Sequence, residues 1–131
     1  MKTYWDSSAL VAATLDGRTR QLLASGGGIT CSHALSEVFS TLTGSRLGFR
    51  VDADEVVALL REMLETLKLM DLRPDEIMEA LAEARSRGVR GGQVHDYLHA
   101  VAARKTGCGV VLTLNKADFA GLFDDLRVEA P

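Results

Sequence analysis

The sequence alternates between short apolar runs and longer segments in which apolar residues recur every three or four positions. The short runs are typical of buried strands, and the periodic segments are typical of amphipathic helices. We predict five strands, at residues 3–5, 29–31, 67–72, 110–114 and 127–129. We predict one helix after a cap at Asp52 and further helices at about residues 9–15, 18–24, 33–47, 74–87, 94–105 and 117–123.

The order of these elements predicts the fold class. Strands that are separated by helices of this length favour parallel pairing with right-handed crossovers. We therefore expect an α/β fold, a three-layer α/β/α sandwich with a central parallel sheet. Val110–Leu114 is the clearest buried strand, and Ser7 or Ser8 is expected to cap the first helix.

Length and composition agree with one folded domain. A chain of 131 residues, 47% of them hydrophobic, is long enough for one core and too short for two. No segment approaches the roughly 20 apolar residues that a membrane-spanning helix needs, and the opening MKTYWDSS lacks the apolar core of a signal peptide. We expect a cytoplasmic protein with no membrane contact, in which Cys31 and Cys108 are reduced and buried.

Five polar side chains are predicted to converge at one edge of the sheet. Asp6 follows the first strand, Asn115 follows the fourth, and Asp118 comes about one turn later. Glu37 and Asp96 lie near the starts of two helices. The functional crevice of an open parallel sheet lies outside the carboxyl ends of its strands, and this is where the five residues are placed.

Clustered carboxylates predict a metal site. Carboxylates within a few ångströms repel one another unless a cation lies among them. Oxygen ligands suit Mg²⁺ or Mn²⁺, whereas Zn²⁺ favours histidine and cysteine. Such an ion activates water and polarises a phosphoryl oxygen during an in-line displacement. The acidic set therefore predicts a magnesium-dependent nuclease whose catalytic residues are Asp6, Glu37, Asp96 and Asp118.

Each acidic residue also has an ordinary structural interpretation. Asp6 can be only a turn former before two serines, and Glu37 can be an exposed helix glutamate. Asp96 can simply complement a helix dipole, and Asp118 can be a helix cap. The prediction rests on their joint placement and not on any one of them.

The histidines and arginines leave alternatives open. His95 and His99 are four residues apart on a predicted helix, but the glutamate of HExxH is missing, so we do not predict a zinc site. We expect them at the surface or behind the metal ligands. The formal net charge of -3 excludes nucleic-acid binding through a broad basic surface alone. Five arginines near helix ends either hold RNA phosphates or are solvated helix ends: Arg46, Arg50, Arg85, Arg87 and Arg90.

Four segments of the sequence resemble the PIN-domain nucleases, and among them the VapC-type toxins of bacterial and archaeal toxin–antitoxin pairs. The segments are YWDSSALVA, HALSEVFSTLTG, GGQVHDYLHAVAARKTG and VVLTLNKADFAGL. They span nearly the whole chain in the right order. The resemblance implies a single PIN-like nuclease domain over residues 1–131.

The resemblance also implies site residues and partners. Asp6, Glu37 and Asp96 would ligate Mg²⁺ or Mn²⁺, and Asp118 would complete the acidic set. Many relatives place an aspartate or asparagine at the position of Asn115, so the fourth ligand is Asn115, Asp118 or both. The family further implies a homodimer, a small antitoxin protein that blocks the site, and structured RNA as the substrate.

Other functions make different predictions. A haloacid-dehalogenase-like phosphatase needs a second acid two residues after the first, where Ser8 stands, and the P-loop motif GxxxxGK[ST] does not occur. A PIN nuclease of RNA maturation that is not a toxin is an alternative, as is a catalytically silent PIN-fold module that binds proteins. Metal-dependent RNA cleavage separates the enzyme from the silent module, and a neighbouring antitoxin reading frame favours the toxin.

Overall fold

The sheet at the centre of the computed structural model has five strands, all parallel. The structure describes residues 2–131. The strands are β1 (Thr3–Trp5), β2 (Gly28–Cys31), β3 (Lys68–Met70), β4 (Val110–Leu112) and β5 (Arg127–Glu129). Their spatial order is β3-β2-β1-β4-β5, so β1 is central and the chain departs from it in both directions. The predicted parallel sheet is confirmed.

Helices connect the strands and cover the sheet. They are α1 (Ser7–Leu15), α2 (Gly17–Ala24), α3 (Ala34–Thr43), α4 (Ala53–Met63), α5 (Pro74–Glu83), α6 (Val94–Lys105) and the short α7 (Lys116–Phe119). Single 3₁₀ turns lie at Arg85–Arg87 and Gly91–Gln93. Over residues 2–131, none of these helices has the length and apolar character needed to cross a membrane.

Neighbouring residues of the central strands supply two separate cores. Successive side chains of a strand point to opposite faces of the sheet. Tyr4 and Val111 belong to a cluster with residues of α6, whereas Trp5 and Leu112 belong to a cluster with residues of α1 and α3. Since both faces of the sheet are covered by helices, the predicted three-layer α/β/α arrangement is confirmed.

Several element boundaries differ from the prediction. The helix predicted to reach residue 47 ends at Thr43, because Gly44 adopts an extended conformation with φ -81° and ψ -165°. The strand predicted to reach residue 114 ends at Leu112. The expected serine cap of α1 is wrong: Ser7 and Ser8 are already helical, and Asp6 is the capping residue, with its side chain accepting from the Ala9 N–H.

Candidate active site

Asp6 follows β1 at the carboxyl edge of the sheet, and its side chain is 1% exposed. Its Oδ1 accepts hydrogen bonds from the Ala9 N–H at 2.9 Å and the Ser8 hydroxyl at 2.7 Å. Its Oδ2 accepts from the Thr113 hydroxyl at 2.5 Å. These donors compensate the burial of the charge. Because a carboxylate has about four acceptor sites, Asp6 keeps capacity for a cation.

Glu37 lies in the first turn of α3 and is half-buried. His99 Nε2 lies 2.8 Å from its Oε1, and His33 Nε2 lies 3.4 Å from the same oxygen. Burial acts to raise the pKa of Glu37, but the His99 hydrogen bond and the nearby imidazoles outweigh it and hold the pKa below its ordinary value. Glu37 is therefore an ionised carboxylate at neutral pH.

Asp96 lies in the first turn of α6 and is half-buried. Burial, followed by the charges of Asp118 and Asp6, raises its pKa to about 6, with a smaller contribution from Glu37 and an opposing effect of His99. The structure thus brings Asp6, Glu37, Asp96 and Asp118 close enough for their charges to interact, although they are remote in sequence.

Asn115 and Asp118 lie on the loop and the short helix that follow β4, and both are exposed. The Asn115 N–H donates to the Thr113 hydroxyl at 2.9 Å, and the Asp118 N–H donates to the Asn115 carbonyl at 3.0 Å. Asp118 acts electrostatically on Asp96. The side chain of Asn115 makes no hydrogen bond to residues 2–131, so its amide oxygen is available as a ligand.

The acidic set fits a hard divalent cation. Its donors are carboxylate oxygens, and their mutual repulsion is the situation that a cation relieves. Mg²⁺ and Mn²⁺ take such ligands and keep several waters. Asp6, Glu37, Asp96 and Asp118 would therefore suit one of these ions as ligands.

A different group of potential ligands has the tightest spacing. Within residues 2–131, the group of three or more metal-binding side chains whose ligand atoms all lie within 4.8 Å is His33, Glu37 and His99. The two imidazole rings are stacked, with centroids 4.8 Å apart and planes 22° apart. In this structure the three groups are partners of one another: His99 Nε2 lies 2.8 Å and His33 Nε2 3.4 Å from Glu37 Oε1.

The two predicted histidines have different environments. His99 is 1% exposed and contacts Glu37, so it lies behind a proposed metal ligand. His95 is exposed. Sequence reasoning missed His33 and Thr113. Both had a usable signal. Thr113 directly follows β4, the neighbour of the strand that Asp6 follows. His33 lies four residues before Glu37 in the predicted helix, a spacing that places the two side chains side by side.

A groove of about 370 Å³ lies beside Glu37. Its lining also includes Arg46, His95 and the hydroxyl-bearing residues Ser7, Ser40 and Thr41. Within the described chain, Arg46 has no ion-pair partner, so its guanidinium is available to an anion. Another of the predicted arginines is structural: Arg87 donates to the Leu122 carbonyl at 2.9 Å and lies over the Phe123 ring.

A match to a family model identifies the family of this chain. The family model described as PIN domain matches residues 3–122. No curated protein sequence matches the chain.

Solved structures with similar folds include the following three. VapC20 from Mycobacterium tuberculosis, described as a sarcin-ricin loop cleaving toxin, has a TM-score of 0.70 and 20% identity over 96% of this chain and 99% of that one. VapBC2 from Rickettsia felis, bound to a promoter DNA fragment, has a TM-score of 0.69 and 18% identity over 99% and 98%. PAE2754 from Pyrobaculum aerophilum has a TM-score of 0.70 and 21% identity over 98% and 89%.

Identities of 18 to 21% establish a shared fold and no more. The family model is the stronger finding, because it spans nearly the entire sequence and includes Asp6, Glu37, Asp96 and Asp118 within its limits. On that match, and in agreement with the parallel sheet and its acidic edge, the chain belongs to the PIN domain family.

Proposed function

We propose that this chain is a single-domain, Mg²⁺- or Mn²⁺-dependent endoribonuclease and the toxin of a toxin–antitoxin pair. The observation that carries the proposal is the placement of Asp6, Glu37, Asp96 and Asp118 at the carboxyl edge of the sheet, where the charges of the other three act on Asp96. Four carboxylates at one sheet edge are a costly arrangement without a cation. A bound divalent cation would offset the repulsion between them, so the arrangement is explained if the site binds metal.

Asp6, Glu37 and Asp96 are the proposed ligands, with Asp118 or Asn115 completing the set. We favour Asp118 as the fourth acid, because its charge acts directly on Asp96. A bound ion of this type supplies an activated water and a polarised phosphoryl oxygen for phosphodiester hydrolysis.

The protein's own residues prepare the site for that ion. Ser8 and Thr113 hold the Asp6 carboxylate by donating to its two oxygens. His99 Nε2 contacts Glu37 Oε1 and restrains the position of that carboxylate. Since burial and the neighbouring acids raise the pKa of Asp96 to about 6, a cation bound beside it would favour the ionised form of this carboxyl group.

RNA is the proposed substrate. The groove beside Glu37 offers a guanidinium from Arg46 and several hydroxyl groups, which are donors that suit phosphate oxygens. The similarity to VapC20, which is described as cleaving the sarcin-ricin loop, supports structured RNA over DNA. The net charge of -3 means that binding depends on such local donors and on the cation.

The toxin assignment is supported by the similarity to VapC20 and VapBC2. We propose a small antitoxin protein that covers the acidic edge, and a homodimer as the assembled form. Expression in cells with and without the neighbouring reading frame tests the antitoxin: growth arrest that the neighbouring gene relieves is expected. Growth arrest that no neighbouring gene relieves would favour a PIN nuclease of RNA maturation.

Cleavage of a fluorescent structured RNA tests the enzymatic part of the proposal. Cleavage is expected with Mg²⁺ or Mn²⁺, and none is expected with EDTA. Asp6→Asn is expected to abolish it, whereas Asp54→Asn, a change at an exposed acid on α4, is the matched control and is expected to leave it intact. Absence of cleavage by the wild-type protein on any structured RNA would favour the silent binding module.

A further inference from the structure

A buried chain of hydrogen bonds connects the sheet to Glu37. The Cys31 N–H on β2 donates to the Tyr4 hydroxyl oxygen at 3.1 Å. That oxygen, on β1, lies 2.6 Å from Nδ1 of His99 on α6. The other ring nitrogen, Nε2, lies 2.8 Å from Glu37 Oε1. Tyr4 and His99 are almost completely buried, so solvent is kept away from these bonds.

The direction of each bond follows from the number of protons available. The Tyr4 hydroxyl carries one proton and already accepts from the Cys31 N–H. The Glu37 carboxylate only accepts hydrogen bonds, so the ring nitrogen that faces it, Nε2, carries a proton. In a neutral imidazole Nδ1 then has the free lone pair, and the Tyr4 hydroxyl donates to it.

The carboxylate of Glu37 only accepts hydrogen bonds, so an Nε2–H is the partner that it needs. Both imidazoles approach the same oxygen, Oε1. In the part of the chain that the structure describes, Oε2 receives no hydrogen bond. One carboxylate oxygen is thus anchored, and the other is left to bind something else.

We infer that His99 is a positioning residue for Glu37: Tyr4 fixes the His99 tautomer that presents Nε2–H to Oε1, and this contact holds Oε2 ready for the cation. The inference rests on the proposed function, since it takes Glu37 as a metal ligand. Without the anchor, the flexible glutamate is free to turn away from the other carboxylates, which repel it. Partners that orient metal ligands in this way contribute strongly to metal affinity.

His99 is not itself a metal ligand in this arrangement. A ligand nitrogen needs a free lone pair, whereas Nε2 carries the proton and Nδ1 accepts from Tyr4.

Two substitutions of His99 test the inference. His99→Gln keeps an N–H donor near the position of Nε2, and His99→Leu removes the donor while keeping a side chain of similar size. We expect the leucine variant to weaken Mn²⁺ binding, measured by calorimetry, by about 10- to 100-fold. The Mn²⁺ concentration needed for half-maximal RNA cleavage is expected to rise in parallel, with the KM for RNA unchanged at saturating Mn²⁺. His99→Gln is expected to recover most of the affinity.

The control variant is Tyr97→Phe. Tyr97 is also buried on α6, and its hydroxyl donates to the Ala80 carbonyl at 2.7 Å. This change is expected to lower stability and to leave Mn²⁺ affinity at the wild-type value. A purely structural role for His99 would make the leucine variant behave like this control, and that result would overturn the inference.

The tautomer is measured directly by ¹⁵N NMR of the histidine rings in the metal-free protein, which also covers the case of a leucine variant that does not fold. The expected result is a proton on Nε2 of His99. A proton on Nδ1 would overturn the inference. If the wild-type protein fails to bind Mn²⁺, the proposed function and this inference both fall; if wild type binds and His99→Leu binds equally well, this inference falls alone.

Discussion

Replacing Asp96 by asparagine is expected to abolish RNA cleavage and to stabilise the metal-free protein. The substitution is nearly isosteric, so packing around the start of α6 is kept. The substitution, however, removes one negative charge from a cluster in which the charges of Asp118, Asp6 and Glu37 all raise the pKa of this carboxyl group. Activity and stability are therefore expected to change in opposite directions.

The size of the stabilisation follows from the pKa of Asp96, which folding raises from 3.8 to about 6. Each pKa unit corresponds to about 1.4 kcal/mol, so the full shift would lower the free energy of unfolding by about 3 kcal/mol. Asp96 is only half-buried, and solvent screening reduces this to about 1–2 kcal/mol. Because the folded pKa lies above the unfolded one, stability falls as the pH rises from about 4 to about 6 and stays lower above that range.

The Asp96→Asn side chain cannot ionise, so this variant does not lose stability as the pH rises through that range. At neutral pH its melting temperature without metal is expected to exceed that of wild type by about 3–8 °C, and at pH values below about 4 the two are expected to coincide. Mg²⁺ at 100 times its Kd is expected to stabilise the wild-type protein by about 2.7 kcal/mol. It is expected to stabilise the variant much less, since a ligand has been removed.

Thermal melts at the two pH values, with and without Mg²⁺, are run beside the RNA-cleavage assay. If Asp96 only complements the dipole of α6, asparagine would lower stability by about 0.3–1 kcal/mol and spare turnover. A lower melting temperature at neutral pH would refute the charge argument. Undiminished cleavage would remove Asp96 from the catalytic set.

Three further predictions concern the substrate, the support of Asp6 and the assembly. Arg46→Ala is expected to weaken RNA binding and to reduce the slope of log affinity against log salt by about 0.7, whereas Arg50→Ala, outside the groove, is expected to change neither. Fluorescence anisotropy over a salt series measures both, and equal effects of the two changes would contradict a groove-specific role. Thr113→Val is expected to slow cleavage and to lower the free energy of urea unfolding by about 1–3 kcal/mol, because Asp6 loses a buried donor; unchanged stability would show that this bond is dispensable. Light scattering is expected to give twice the 14.1 kDa mass of one chain, and a monomer at micromolar concentration would contradict the proposed homodimer.

Most of the fold could be predicted from the local pattern of apolar and polar residues. Alternating short apolar runs and periodic segments fixed the five strands and their helical connections, since side-chain periods of 2 and 3.6 are properties of the backbone. Parallel strands end at a common edge, so the placement of Asp6 after β1 and Asn115 after β4 followed without knowledge of contacts. The ends of helices and strands were less well predicted. The extended backbone of Gly44 ends α3 at Thr43, although the apolar pattern predicted a helix to residue 47.

The sequence by itself therefore determined the layers, the parallel sheet and the edge at which the acidic residues lie. Only the tertiary structure decided what holds those acids. The contact between His99 and Glu37 joins residues 62 positions apart, and that between Thr113 and Asp6 joins residues 107 positions apart. Neither depends on the conformation of a single segment. Each requires two elements to pack at a particular distance and rotation, and that geometry is set by the cores on both faces of the sheet and not by local propensity.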